Sequence, residues 1–206
     1  MKKKRMFILV ISLFLTMIVV AALITGIVHF VNHDNDEGEP SENNIRYHLP
    51  NYDENIFNNT AYMSFQRDLR YSALGVENYY SYEKDYESAP RECRFFLDYF
   101  NTVINGKYED LASFYVEGYF EEEPKFTMQM IYEPYVYYHS VSTDEIDGVE
   151  TELINFKVEY RIFKNNGTFR KGVSSNVKIP QIYQLIKMSN GSYRIYRILE
   201  IQIAEE

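Results

Sequence analysis

The chain has 206 residues and carries 30 Asp and Glu against 21 Lys and Arg, a formal net charge of −9 with histidine neutral. That balance weighs against nucleic acid and anionic lipid headgroups as main partners, because both are held through uncompensated basic surface. A single cysteine, Cys93, excludes an internal disulfide framework and any zinc site built on several thiolates.

Lys2, Lys3, Lys4 and Arg5 open the chain, and no Asp, Glu, Lys or Arg occurs between Phe7 and Val31. At roughly 1.5 Å per helical residue, this run of about 25 residues spans ~37 Å and can cross a ~30 Å hydrocarbon core with some tilt. Asp34, Asp36, Glu37 and Glu39 lie beyond it. The positive flank predicts a cytoplasmic basic tail over 1–6, a single transmembrane anchor over 7–31, and the rest outside the membrane. A cleaved signal has a shorter apolar stretch, and here Ala21-Ala22 and Thr25-Gly26 are succeeded by more apolar sequence. An uncleaved anchor is therefore expected. Removing the four basic residues before Phe7 from 21 leaves 17, against 30 acidic residues, a net charge near −13 for the external part. Such a surface favours solubility and suits a basic partner.

Residues 32–52 are polar and acidic, with Pro40 and Pro50, and read as a linker. Residues 53–89 read as a helical and aromatic lead-in. Ile56, Phe57, Ala61, Phe65 and Leu69 recur at spacings near four, which predicts a helix over Asp53–Ala73 stopped by Gly75. Tyr79-Tyr80-Ser81-Tyr82, continuing to Tyr86, reads as a short strand or an aromatic loop. The clearest helix comes next, with Ser88 as cap and Pro90 in the first turn. Cys93, Phe96, Leu97, Phe100, Val103 and Ile104 share one of its faces, and Asn105-Gly106 stops it. A shorter helix is predicted from Lys107 or Tyr108 to about Val116, with Leu111, Phe114 and Tyr115 inward, ended by Gly118 and Pro124.

Beyond Pro124 the period changes to two. Strands are expected over Phe126–Ser142, bent at Pro134, and over Thr151–Lys164, joined by a turn through Asp144–Gly148. Asn165-Asn166-Gly167 predicts a hairpin into a strand over Phe169–Ile179. Asn190-Gly191 joins strands over Ile182–Met188 and Tyr193–Ile203. Helices succeeded by hairpin-linked strands imply an α+β fold with helices packed on an antiparallel sheet, the extracytoplasmic domain spanning 90–206.

The series Phe96-Leu97-Asp98-Tyr99-Phe100, Ile104-Asn105-Gly106-Lys107-Tyr108-Glu109-Asp110-Leu111 and Phe114-Tyr115 resembles the opening of the nuclear transport factor two-like superfamily. The resemblance covers Pro90 to Glu206. It implies an aromatic-rich helix wrapped by a strongly bent antiparallel sheet, making a cone. Joined to an N-terminal anchor, the domain is similar to assembly subunits of bacterial conjugation and type IV secretion machines. It is also similar to small anchored proteins of Gram-positive bacteria.

A pocket in such a cone would draw on Tyr99 and Asp98 from the first helix and His139 from the first long strand. A phenol, a carboxyl and an imidazole can bind and deprotonate a carbonyl compound. The same residues also fit an amphipathic helix face and a tyrosine-rich strand, and no acid–base pair has a diagnostic spacing, so no catalytic residue is assigned. His48 and His139 are the external histidines, too few with one cysteine for a zinc cluster. Glu121-Glu122-Glu123 and Asp144-x-x-Asp147 do not match a calcium loop. With no Gly-x-Ser-x-Gly, phosphate loop or dinucleotide turn, no metal and no cofactor is expected. Asn58-Asn59-Thr60, Asn166-Gly167-Thr168 and Asn190-Gly191-Ser192 match the glycosylation sequon, which carries nothing in a bacterial protein.

The 20 tyrosines and 14 phenylalanines, without tryptophan, supply large contact area with polar tips, which suits protein interfaces. The expected function is a non-enzymatic, membrane-anchored interaction domain of a cell-envelope assembly. Its partners would be other membrane or secreted proteins, a second copy of the chain included, with the membrane held through 7–31 and no nucleic acid. The rivals are a small-ligand binder or enzyme using the cone, and an immunity or inhibitor protein that occupies a basic toxin.

Overall fold

The structure, a computed structural model, describes residues 45–201. The expected tail 1–6, anchor 7–31 and linker residues 32–44 lie outside the described residues. Within them no helix is long and apolar enough to cross a membrane.

The described chain is an α+β fold. A 3₁₀ turn, Ile56–Asn58, and a one-turn helix α1, Thr60–Met63, precede a hairpin of β1, Leu69–Ala73, and β2, Val76–Tyr80. Helix α2, Arg91–Ile104, and the short α3, Tyr108–Leu111, come after it. Four strands complete the sheet: β3, Ile131–Ile146; β4, Val149–Ile162; β5, Gln181–Lys187; and β6, Tyr193–Glu200. Their order is β2-β1-β3-β4-β5-β6. All neighbours are antiparallel except β1 and β3, which run parallel. The wholly antiparallel sheet expected from the sequence is therefore a mixed one.

The helix expected over Asp53–Ala73 is the largest correction. Asn55 caps the 3₁₀ turn, and Asn59 caps α1 by accepting from the Tyr62 N–H. Side chains that bond nearby backbone favour short capped pieces over a long helix. From Leu69 the period is two: Leu69 and Tyr71 are buried, while Arg70 and Ser72 are only half-buried. Leu74 and Gly75, at φ 52° and 79°, then form a two-residue hairpin turn. Residues 53–89 thus supply two strands of the sheet as well as short helical pieces.

Helix α2 matches its expected span. Pro90 rather than Ser88 occupies the N-cap, and the Ser88 hydroxyl bonds the Asp85 carbonyl instead. At the C-terminus, Lys107 N–H donates to the Thr102 carbonyl and Gly106 N–H to that of Val103. That pair of bonds is a Schellman cap, with Gly106 at φ 65°. The second helix is shorter than expected, α3 passing into a 3₁₀ turn over Ala112–Phe114. Strand β3 begins at Ile131 rather than Phe126 and continues to Ile146, beyond the expected end at Ser142 and into the expected turn, which narrows to Asp147-Gly148. Its register against β4 slips at Glu133-Pro134 and again near His139. Such bulges bend a strand and increase its twist.

The strand expected over Phe169–Ile179 is absent from the described structure, and β4 leads into a long loop instead. The fully buried Asn165 organises it. Its side-chain amide donates to the carbonyls of Arg170 and Val173, at 3.0 and 2.7 Å, and its Oδ1 accepts from Gly167 N–H. One side chain here satisfies backbone groups that a ladder would otherwise pair.

The core lies between α2 and one face of the sheet. Phe96 meets Phe156 at 5.3 Å and Tyr183 at 6.0 Å between ring centroids, and Phe100 meets Tyr160 at 5.5 Å. All are edge-on contacts of the kind aromatic rings prefer.

Candidate interaction face

Opposite the core, the strands bring together side chains far apart in sequence. Across β2, β1, β3 and β4 the pairing aligns Tyr79, Arg70, Tyr135 and Glu159 in one row. The next row holds Glu77, Ser72, Tyr137 and Lys157. Residues directly opposite across neighbouring strands share a face. Alternation puts this face away from α2, because the buried Val136 lies between Tyr135 and Tyr137.

Cations and rings interleave on this face. The Arg70 guanidinium sits 4.3 Å from the Tyr135 ring centroid and bonds Glu77 at 2.7 Å. The Lys157 ammonium lies 6.0 Å from the Tyr137 centroid and 2.6 Å from Glu159. Tyr135 and Tyr137 stack with ring centroids 6.2 Å apart and planes inclined by 23°. Cation–ring contacts of this sort hold side chains in fixed orientations at modest energy, about 0.5–1 kcal/mol each when exposed. Tyr79 is 53 % exposed. A cleft of about 260 Å³ opens beside these rows, lined by Arg70, Tyr79, Glu133, Tyr135 and Lys178 among others.

The three residues expected to form a pocket are not gathered into one. Tyr99 is buried inside the core, its hydroxyl 3.0 Å from that of Tyr115 and 3.5 Å from that of Tyr183. Burial pushes its phenol well above the usual range. The rings of Phe100, Phe114, Phe169 and Tyr183 pack around it, with centroids 5.6, 5.6, 6.4 and 5.8 Å from its own. Asp98 lies on another side of α2, where it accepts from the Tyr86 hydroxyl at 2.8 Å and borders a surface cleft with Arg91, Arg94 and Ser113. His139 is exposed on β3, its Nδ1 3.1 Å from the Tyr137 hydroxyl, on the sheet face away from α2. Of the three, only His139 belongs to the tyrosine face. Among the described residues, no group of His, Cys, Asp and Glu is placed to hold a metal ion.

Asp98 supplies a pH-dependent test. Partial burial raises its carboxyl above the ordinary value, against the Tyr86 hydrogen bond and the nearby Arg94, which lower it. A raised folded-state value means the protonated form favours folding. That contribution is complete below the unfolded value and is lost as pH rises through the folded one. Asp98→Asn keeps an acceptor for Tyr86 and removes the charge. Its melting temperature should exceed that of the parent at about pH 7 and match it at about pH 3. An equal difference at both pH values would contradict this assignment.

No family model matches the chain, and no curated protein or solved structure matches it either. The reading of this face rests on its own chemistry.

Proposed function

We propose that the chain is a single-pass, membrane-anchored, extracytoplasmic protein-interaction domain, a non-enzymatic subunit of a bacterial cell-envelope assembly such as a secretion or conjugation machine. The fold proposed for it is the nuclear transport factor two-like cone, with α2 as the wrapped helix. One observation carries the reading: interlocked aromatic side chains fill the space between α2 and the sheet, while Tyr79, Tyr135, Tyr137, Arg70 and Lys157 stand ordered on the outer face. Interface energy concentrates on Tyr and Arg among others, Tyr because it buries large area with little ordering cost, and Arg70 is already held in place by Glu77 and the Tyr135 ring.

The test is crosslinking of the full-length protein in its native membrane, capture, and identification of what comes with it. A defined set of membrane or secreted proteins is expected. Tyr135→Ala should weaken capture about tenfold or more, some 1.4 kcal/mol or above, as for a central anchor residue. Capture of no protein at all, under conditions that retain known envelope complexes, would overturn the reading.

A further inference from the structure

The two edges of the sheet differ. At β6, Tyr115 forms a parallel bridge to Ile195, and the Val116 N–H donates to the Ile195 carbonyl at 3.1 Å. That edge is partly covered. At the other edge, β2 pairs only with β1 among the described residues, and four of its five residues are exposed. Val76 is 61 % exposed, and Leu74, in the turn before it, 92 %. The strand Val-Glu-Asn-Tyr-Tyr has no proline, lysine or bulge, the usual devices that keep an edge from pairing. Its single charge, Glu77, is matched within the same molecule by Arg70.

The register of the hairpin decides which backbone groups are free. A two-residue turn makes Ala73–Val76 the hydrogen-bonded closing pair. Hydrogen-bonded and non-hydrogen-bonded pairs then alternate, so Tyr71–Asn78 and Leu69–Tyr80 are bonded, while Ser72–Glu77 and Arg70–Tyr79 are not. The N–H and C=O groups of Glu77 and Tyr79 therefore point outward from the sheet.

We propose that β2 is a self-pairing edge: two copies of the chain join β2 to β2 antiparallel, about a two-fold axis at Asn78, into one continuous sheet. The proposal deepens the protein-interaction reading by naming a second copy as one partner. In this register Glu77 faces the partner copy's Tyr79 and Tyr79 its Glu77, and all four outward N–H groups find outward carbonyls. Side chains match as well. On the core side, Val76 faces Tyr80 of the other copy, a β-branched residue against an aromatic, which is a favourable cross-strand pair. On the outer side, the Tyr79–Arg70–Tyr135 row of each copy meets the Glu77–Ser72–Tyr137 row of the other, each Glu77 already neutralised by its own Arg70. A two-fold contact needs one patch complementary to itself, and this strand meets that condition at each of its five positions.

The two-fold also places Asn78 opposite itself in a non-hydrogen-bonded pair, with Cβ atoms about 4.5–5.5 Å apart, close to disulfide reach. Asn78 is exposed, so cysteine there leaves the core untouched. The native Cys93 is buried, and burial pushes its thiol up to about 12, so it stays out of the exchange.

The experiment oxidises full-length Asn78→Cys in its native membrane, with Glu122→Cys as an exposed control away from β2. A disulfide dimer several-fold above the control is expected. Adding Tyr79→Pro, which removes an outward N–H while sparing the bonds to β1, should return the dimer to the control level. Equal dimer from N78C and E122C would overturn the proposal, and so would a dimer that survives Y79P. Either of these results with other proteins still captured in the pull-down would remove self-pairing alone and leave the interaction reading standing.

Discussion

Phe96→Ala should cost about 3–5 kcal/mol of folding stability, the range for truncating a large aromatic in a packed core. Phe96 is fully buried and meets Phe95, Phe156 and Tyr183 edge-on. The deletion removes those contacts and leaves a space that rings fixed on three different elements cannot close. A domain of this size is stable by about 5–15 kcal/mol, so the variant should stand close to the edge of folding. Equilibrium unfolding in urea measures it, as a lower midpoint at an unchanged slope. A loss below about 1 kcal/mol would mean that the interior collapses freely, against close packing between α2 and the sheet.

Gly106→Ala should be nearly as damaging, at about 2–4 kcal/mol, for a different reason. The residue holds φ 65° in the Schellman cap, where any side chain costs about 1–2 kcal/mol. A Cβ there would also lie 2.8 Å from the Met128 nitrogen and 3.2 Å from the Thr127 carbonyl carbon. Both neighbours are backbone, so the chain after α2 or the segment leading to β3 has to move. Gly75→Ala separates the two costs. Gly75 has a comparable φ of 79° but open space where the Cβ would go. It should lose only the conformational part. Equal losses at the two positions would show that the close approach to Met128 adds nothing.

Both substitutions fall in parts of the fold that are legible in the sequence. The apolar positions of α2 and its Asn105-Gly106 stop lie within one stretch of chain, and local spacing is enough to mark them. The same holds for the Asn190-Gly191 hairpin. The failures have local causes too. The spacing near four from Ile56 to Leu69 is compatible with a helix, yet Asn55 and Asn59 cap short pieces, and Leu69 and Tyr71 point into the core as strand residues. Asn165-Asn166-Gly167 carries a turn signal, but the buried Asn165 amide holds residues 166–173 in a loop.

The candidate face is partly visible in the sequence. Tyr79, Tyr137 and His139 stand in tyrosine-rich stretches, although the expected pocket groups His139 with Tyr99 and Asp98. Arg70 and Lys157 carry no signal, because an isolated basic residue in a strand looks like any solvated one. Only their alignment beside Tyr135 and Tyr137 distinguishes them.

By itself the sequence determined the α+β class, the extent of α2, the β3–β4 and β5–β6 hairpin pairings, and the lack of any disulfide framework. Periodicity, turn chemistry and residue counts are enough for these. The tertiary structure alone decided that β1 runs parallel to β3, that β2 is an edge strand among the described residues, and that Tyr99 lies within the core. Periodicity records which side of an element is apolar, but not which distant element that side will meet. Parallel pairing between Arg70–Ser72 and Tyr135–Tyr137, between segments far apart along the chain, leaves no local mark and is set by the packing of the whole domain.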